Sequence, residues 1–170
     1  MDGYENLAAR VERARAEFDD PATPHRDFCL DAVGDLLEAG LLTREDAERA
    51  VGRMVALALS DDEDRTVLES ALHAVCTAGT RYVLPLPLVA PLAAAADRFD
   101  PPLLAYVLSA LGSTHDRAAV PLARRFLDHP RPELRREAED ALTEIRWQYR
   151  DEPIRGPGRR PDRTAPDALG

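Results

Sequence analysis

Residues 116 to 145 read DRAAVPLARRFLDHPRPELRREAEDALTEI. In the second half of this stretch Ala138, Leu142 and Ile145 stand at i, i+4 and i+7, the spacing of one helical face. The same triplet occurs twice before it, as Leu104, Leu108 and Leu111 and as Leu68, Leu72 and Val75. From Leu68 to Leu104 is a step of 36 residues, and from Leu104 to Ala138 a step of 34. Self-similarity at this period predicts stacked helical hairpins, each burying its apolar face only against its neighbours. The expected fold is all-α, a right-handed α-α superhelix of about eight antiparallel helices. It occupies one domain over 1–150, with a capping hairpin over 1–42 and three helical pairs over 43–150.

Working outward, the apolar periodicity places helices over 4–18, 24–39, 44–59 and 64–78. Further helices follow over 87–98 or 91–98, then 101–112, 117–128 and 131–147. Thr43 followed by Asp46 reads as a variant capping box, and Gly40 suits the left-handed position after a helix end. Pro85, Pro87 and Pro91 are expected before or within a first helical turn, where a missing N–H costs little. The same prolines interrupt the longest apolar run, 83–96, so no membrane span is read. Beyond Arg150 the composition turns to Pro, Gly, Arg and Asp, with Ile154 and Leu169 the only large aliphatic residues. Such a segment buries too little to offset the entropy of ordering, and 151–170 is expected to be a disordered tail.

Charge divides unevenly along the chain. Residues 1–70 hold 18 acidic residues and 8 arginines, whereas 71–150 hold 9 and 10. A negative potential concentrated at one end attracts cationic partners and repels nucleic acid. The acidic face expected to do so comprises Asp27, Asp31, Asp35, Asp61, Asp62 and Asp64. The run 60–64 is not a calcium loop, since neither the sixth-position glycine nor the twelfth-position glutamate is present. Its carboxylates are better placed to satisfy the amides of a helix N-terminus.

Residues 116–145 resemble a HEAT repeat. The resemblance rests on Val120-Pro121-Leu122 opening the first helix, Leu127-Asp128-His129-Pro130 at the turn, and Arg135 or Arg136 leading to Ala138, Ala141, Leu142 and Ile145. Residues 81–114 and 43–79 look like degenerate copies, so the resemblance covers about two thirds of the chain. The period is shorter than the roughly 40 to 47 residues usual for HEAT units, while the tetratricopeptide consensus is absent. The resemblance implies protein binding on a curved surface lined by the second helix of each pair. Those helices would present Thr66, Glu69, Ser70 and His73, then Tyr106 and Ser109, then Arg136, Glu139, Asp140 and Thr143. Tyr106 is the aromatic among them and the natural hot-spot candidate. Trp147 and Tyr149 are expected to seal the open end of the stack.

Catalytic chemistry finds little support in the residue pattern. His25, His73, His115 and His129 are scattered; His73 and Cys76 share a helical face but lack further ligands at metal-site spacing. No phosphate-binding glycine loop, nucleophile elbow or His-Glu-x-x-His run occurs. Cys29 and Cys76 are expected to be small buried hydrophobes rather than a disulfide. No secretory signal is read at the N-terminus, so a cytoplasmic location is expected. The resulting expectation is a non-enzymatic scaffold or adaptor with no cofactor and no metal. Its partner is a basic protein, with neither nucleic acid nor membrane. A sharper version is an immunity protein that neutralises a basic toxin such as a nuclease; a lyase-type or metal-dependent enzyme is the remote alternative.

Overall fold

The computed structural model describes residues 22–61 and 63–150, together with Ala9, Arg13, Ala14, Ala16, Glu17 and Asp20. The helices are α1 Arg26–Glu38, α2 Arg44–Ala58, α3 Arg65–Ala78, α4 Leu86–Ala94, α5 Pro101–Gly112, α6 Val120–Arg124 and α7 Pro132–Gln148. Two 3₁₀ turns, Ala96–Arg98 and Arg117–Ala119, follow α4 and precede α6. Among the described residues there is no strand. Of the helix expected over 4–18, only Ala9, Arg13, Ala14, Ala16 and Glu17 are described, and these are helical. Asp62 and the expected tail over 151–170 lie outside the described residues.

Local chemistry fixes the element ends. The Thr43 hydroxyl accepts from the Asp46 amide at 3.2 Å and donates to the Asp46 carboxylate at 2.6 Å. Asp64 and Asp100 cap α3 and α5 by accepting from the Thr66 amide at 2.8 Å and the Leu103 amide at 3.1 Å. The Thr66 amide, and secondarily its hydroxyl, hold the Asp64 carboxyl below the usual aspartate range. At the end of α1, Gly40 takes φ 66°. Its amide reaches the Leu37 carbonyl and the Leu41 amide reaches that of Leu36, which together make a Schellman motif.

The helices form two rows. α1, α3, α5 and α7 lie side by side in an inner row, each touching the next; α2, α4 and α6 form the outer row against α3, α5 and α7. Contacts between inner neighbours advance in the same direction along both helices: Cys76 meets Ser109 and Gly79 meets Ser113, while Gly112 meets Ala141 and His115 meets Glu144. Inner helices therefore run parallel, as a solenoid requires. The core between the rows includes Leu30, Met54, Leu72, Leu92, Leu108 and Ile145. Close approach within the inner row rests on glycine. A Cβ on Gly79 would sit 2.5 Å from the Ser113 Cβ, and one on Gly112 would sit 3.1 Å from the Ala141 Cα.

Several expectations are corrected. The helix expected over 117–128 is broken into a 3₁₀ turn, the five-residue α6, and i→i−3 bonds at Phe126 and Leu127. Pro130 and Pro132 follow, and each disfavours a helical conformation in the residue before it; Arg131 is accordingly extended. α4 starts at Leu86 and carries Pro91 in its interior, then degrades into the 3₁₀ turn. On α1 the buried stripe is Arg26, Leu30, Val33, Gly34 and Leu37, not one built on Cys29 and Ala32. Leu68 is half-buried, and so are both cysteines, which are free thiols.

Candidate functional site

The inner-row helices run parallel, and each leaves exposed or half-buried residues on the side not covered by its neighbours. On α3, Glu69 and His73 are exposed, and the His73 ring meets the edge of Tyr106 on α5 with centroids 5.6 Å apart. Tyr106 is half-buried, and burial, then the nearby Glu69 carboxylate, raise its phenol above the ordinary range. Beneath this pair the Cys76 thiol lies 3.2 Å from the Ser109 hydroxyl. Burial raises the Cys76 thiol further, against the opposing effect of Ser109, so it stays protonated and is a poor nucleophile.

On α7 the residues facing α5 are Ala141 and Glu144, as the approach to Gly112 shows. Helical periodicity puts Glu137 and Asp140 on or beside that strip. Burial, followed by the Asp140 charge, raises the Glu137 carboxyl, while Arg136 works against both. Glu144 pairs with His115 at 3.2 Å. Asp31 and Asp35 are exposed on α1. Carboxylates thus stand on α1, α3 and α7 of the face, while α5 contributes Tyr106 and no acidic residue.

The expected site residues separate into groups. Glu69, His73 and Tyr106 come together, with Glu69 also paired to Arg65 at 3.0 Å. Asp140 lies apart from them, on the lining of an open cleft of about 390 Å³ beside Trp147. Arg136 and Glu139 are exposed, and Glu139 falls on the side of α7 turned away from α5. Of the expected acidic face, Asp27 and Asp64 line a cleft of about 580 Å³ at the N-terminal ends of α1 and α3. Asp61 is engaged by Arg98 at 2.7 Å, whose guanidinium also donates to the Leu59 and Ser60 carbonyls.

Two features escaped the sequence reading. Arg26 forms a bidentate pair with Glu63, at 2.6 and 3.1 Å, with side chains only 9% and 12% exposed. An arginine at an apolar helix position, Arg26 preceding Leu30 and Val33, was the available signal. The second is Trp147, which does not seal the stack: it is 65% exposed. Tyr149 does close that end, donating to the His115 carbonyl at 2.6 Å with the Arg117 guanidinium over its ring. Among the described residues, no group of three or more His, Cys, Asp or Glu is placed to hold a metal ion, and no helix is long and apolar enough to cross a membrane.

The architecture is that of an armadillo-type helical-repeat solenoid. It is similar to a designed armadillo repeat protein solved in complex with the peptide (KR)4, with a TM-score of 0.59 at 15% identity over 82% of this chain and 64% of that one. A second designed armadillo repeat protein superposes with a TM-score of 0.55 at 14% identity, over 79% of this chain and 64% of the other. An engineered protein gives 0.56 at 15% identity, over 79% and 62%. The chain spans a little under two thirds of the length of each of these structures. No protein-family model matches the chain, and no curated protein does.

Proposed function

We propose that this protein is a non-enzymatic binding scaffold whose inner-row face takes a basic segment of a protein partner. One observation carries the reading: Asp31, Asp35, Glu69, Glu137, Asp140 and Glu144 are spread over α1, α3 and α7 on the row of helices that a solenoid offers to partners. Complementary charge gives fast, selective association, and the half-buried Tyr106 offers an apolar anchor at the centre. That a protein of similar fold is seen with a peptide of alternating lysine and arginine is consistent with this reading. The HEAT-like pattern of 116–145 supports the same reading of a scaffold or adaptor, and a cytoplasmic location is proposed with it.

A fluorescently labelled basic peptide, followed by anisotropy at low and high salt, tests the proposal. Saturable binding that weakens as salt rises is expected, and the double variant Glu69→Arg/Glu137→Arg should lower affinity at least tenfold. Unchanged affinity in that variant would overturn the assignment of the face.

The narrower form is an immunity protein covering a basic toxin, and the concentration of acidic residues before residue 71 favours it. Neutralising Asp27, Asp31, Asp35 and Asp64 together should then slow association severalfold while leaving dissociation nearly unchanged.

A further inference from the structure

At the last repeat, the C-terminal turn of α7 and the loop after α5 enclose the open cleft of about 390 Å³, lined by His115, Asp140, Thr143, Glu144, Trp147 and Gln148. Its composition differs from the rest of the face. Asp140, Glu144 and Trp147 follow at i, i+4 and i+7, so two carboxylates and the indole share one strip of the helix. Last-turn carbonyls of α7 add negative potential at the same corner. The chain itself shows that this indole stacks a guanidinium: that of Arg150, which does not line the cleft, lies 3.8 Å from the centroid of the Trp147 ring, with a nitrogen 3.5 Å from the Trp147 carbonyl.

We propose that this cleft is an arginine subsite of the binding face, in which a partner's guanidinium stacks on Trp147 and pairs with Asp140. The inference rests on the proposed binding of a basic segment and specifies which side chain is read. A planar guanidinium stacks on an indole and pairs in two-pronged fashion with a carboxylate, whereas an ammonium group does neither as well. Arg150 shows within the chain the stacking that a partner's arginine would make from the cleft.

Trp147 is the chain's only tryptophan, so its emission reports on this corner alone. The full chain is titrated with two labelled peptides, one alternating arginine with glycine and the other lysine with glycine. Peptide anisotropy and Trp147 emission are read together. The arginine peptide is expected to bind about three- to tenfold more tightly and to change Trp147 emission along the same isotherm. Asp140→Asn and Trp147→Ala should remove most of that preference. Circular dichroism melts confirm that the variants fold. A normal anisotropy isotherm with unchanged Trp147 emission, or equal affinity for the two peptides, overturns the subsite while leaving the binding face intact. No anisotropy change with either peptide overturns the binding face, and the subsite with it.

Discussion

The inner and outer rows of helices follow different rules. Inner helices α1, α3, α5 and α7 run for 13, 14, 12 and 17 residues, whereas outer helices α2, α4 and α6 shorten from 15 to 9 to 5. The outer row loses regular structure along the chain, with Pro91 inside α4, and covers the core with 3₁₀ turns and single side chains such as Phe126. The inner row cannot do this. Its helices meet through Gly79, Gly112 and Ala141, and any loss of register there would move every exposed carboxylate on the face. Stacking order and surface chemistry therefore reside in one row, and the other acts mainly as a lid on the core.

The largest expected contrast comes from truncating one leucine in each row. Leu108 on α5 is fully buried, so Leu108→Ala should cost about 3 to 4 kcal/mol through lost transfer energy and a cavity. Leu122 on α6 is half-buried in a helix already reduced to one turn, and Leu122→Ala should cost about 1 kcal/mol. Urea unfolding of both variants measures the difference. Equal losses would show that the short outer helix is as essential to the stack as the long inner one.

Next in size is the pair that ties the front of the inner row to the loop leading into α3. Removing Arg26 leaves Glu63 nearly buried without its bidentate partner, so Arg26→Ala should cost about 3 kcal/mol. The reciprocal Arg26→Ala/Glu63→Ala double variant should recover part of that loss, because Glu63 is no longer left as a nearly buried charge without its partner. A double variant no more stable than the single one would mean that Arg26 acts through contacts other than the Glu63 pair, packing of its stem among them.

These rows were unequally legible in the sequence. The inner row announced itself through the triplets ending at Val75, Leu111 and Ile145, because a fully regular helix repeats its apolar spacing at every turn. Thr43, Gly40 and Asp100 also behave as their residue types dictate. The region after Asp116 was misread as one helix, since Ala119, Leu122, Ala123 and Phe126 keep helical spacing even though the backbone tightens into i→i−3 turns. Side-chain spacing does not separate a 3.0-residue turn from a 3.6-residue one over so short a span. For the site, Glu69, His73 and Tyr106 could be placed on one face by periodicity. The role of Glu144 and the exposure of Trp147 could not, because both depend on where α5 ends relative to α7.

The smallest expected effect tests whether the inner face carries electrostatic repulsion. Burial and the neighbouring Asp140 raise the Glu137 carboxyl in the folded chain. Ionised Glu137 is thus disfavoured by folding: the group adds no penalty below its unfolded pKa, and stability falls as pH rises through its folded pKa. Glu137→Gln should accordingly match the parent in acid and exceed it near neutral pH, by about 0.5 kcal/mol or less because solvent screens much of the interaction. Urea unfolding across that pH range measures the gap. If a basic peptide occupies the face, its charge replaces the missing compensation, and saturating peptide should erase the neutral-pH advantage of Glu137→Gln. An advantage that persists with peptide bound would place the cation away from Glu137 and leave the other carboxylates of the inner row as its partners.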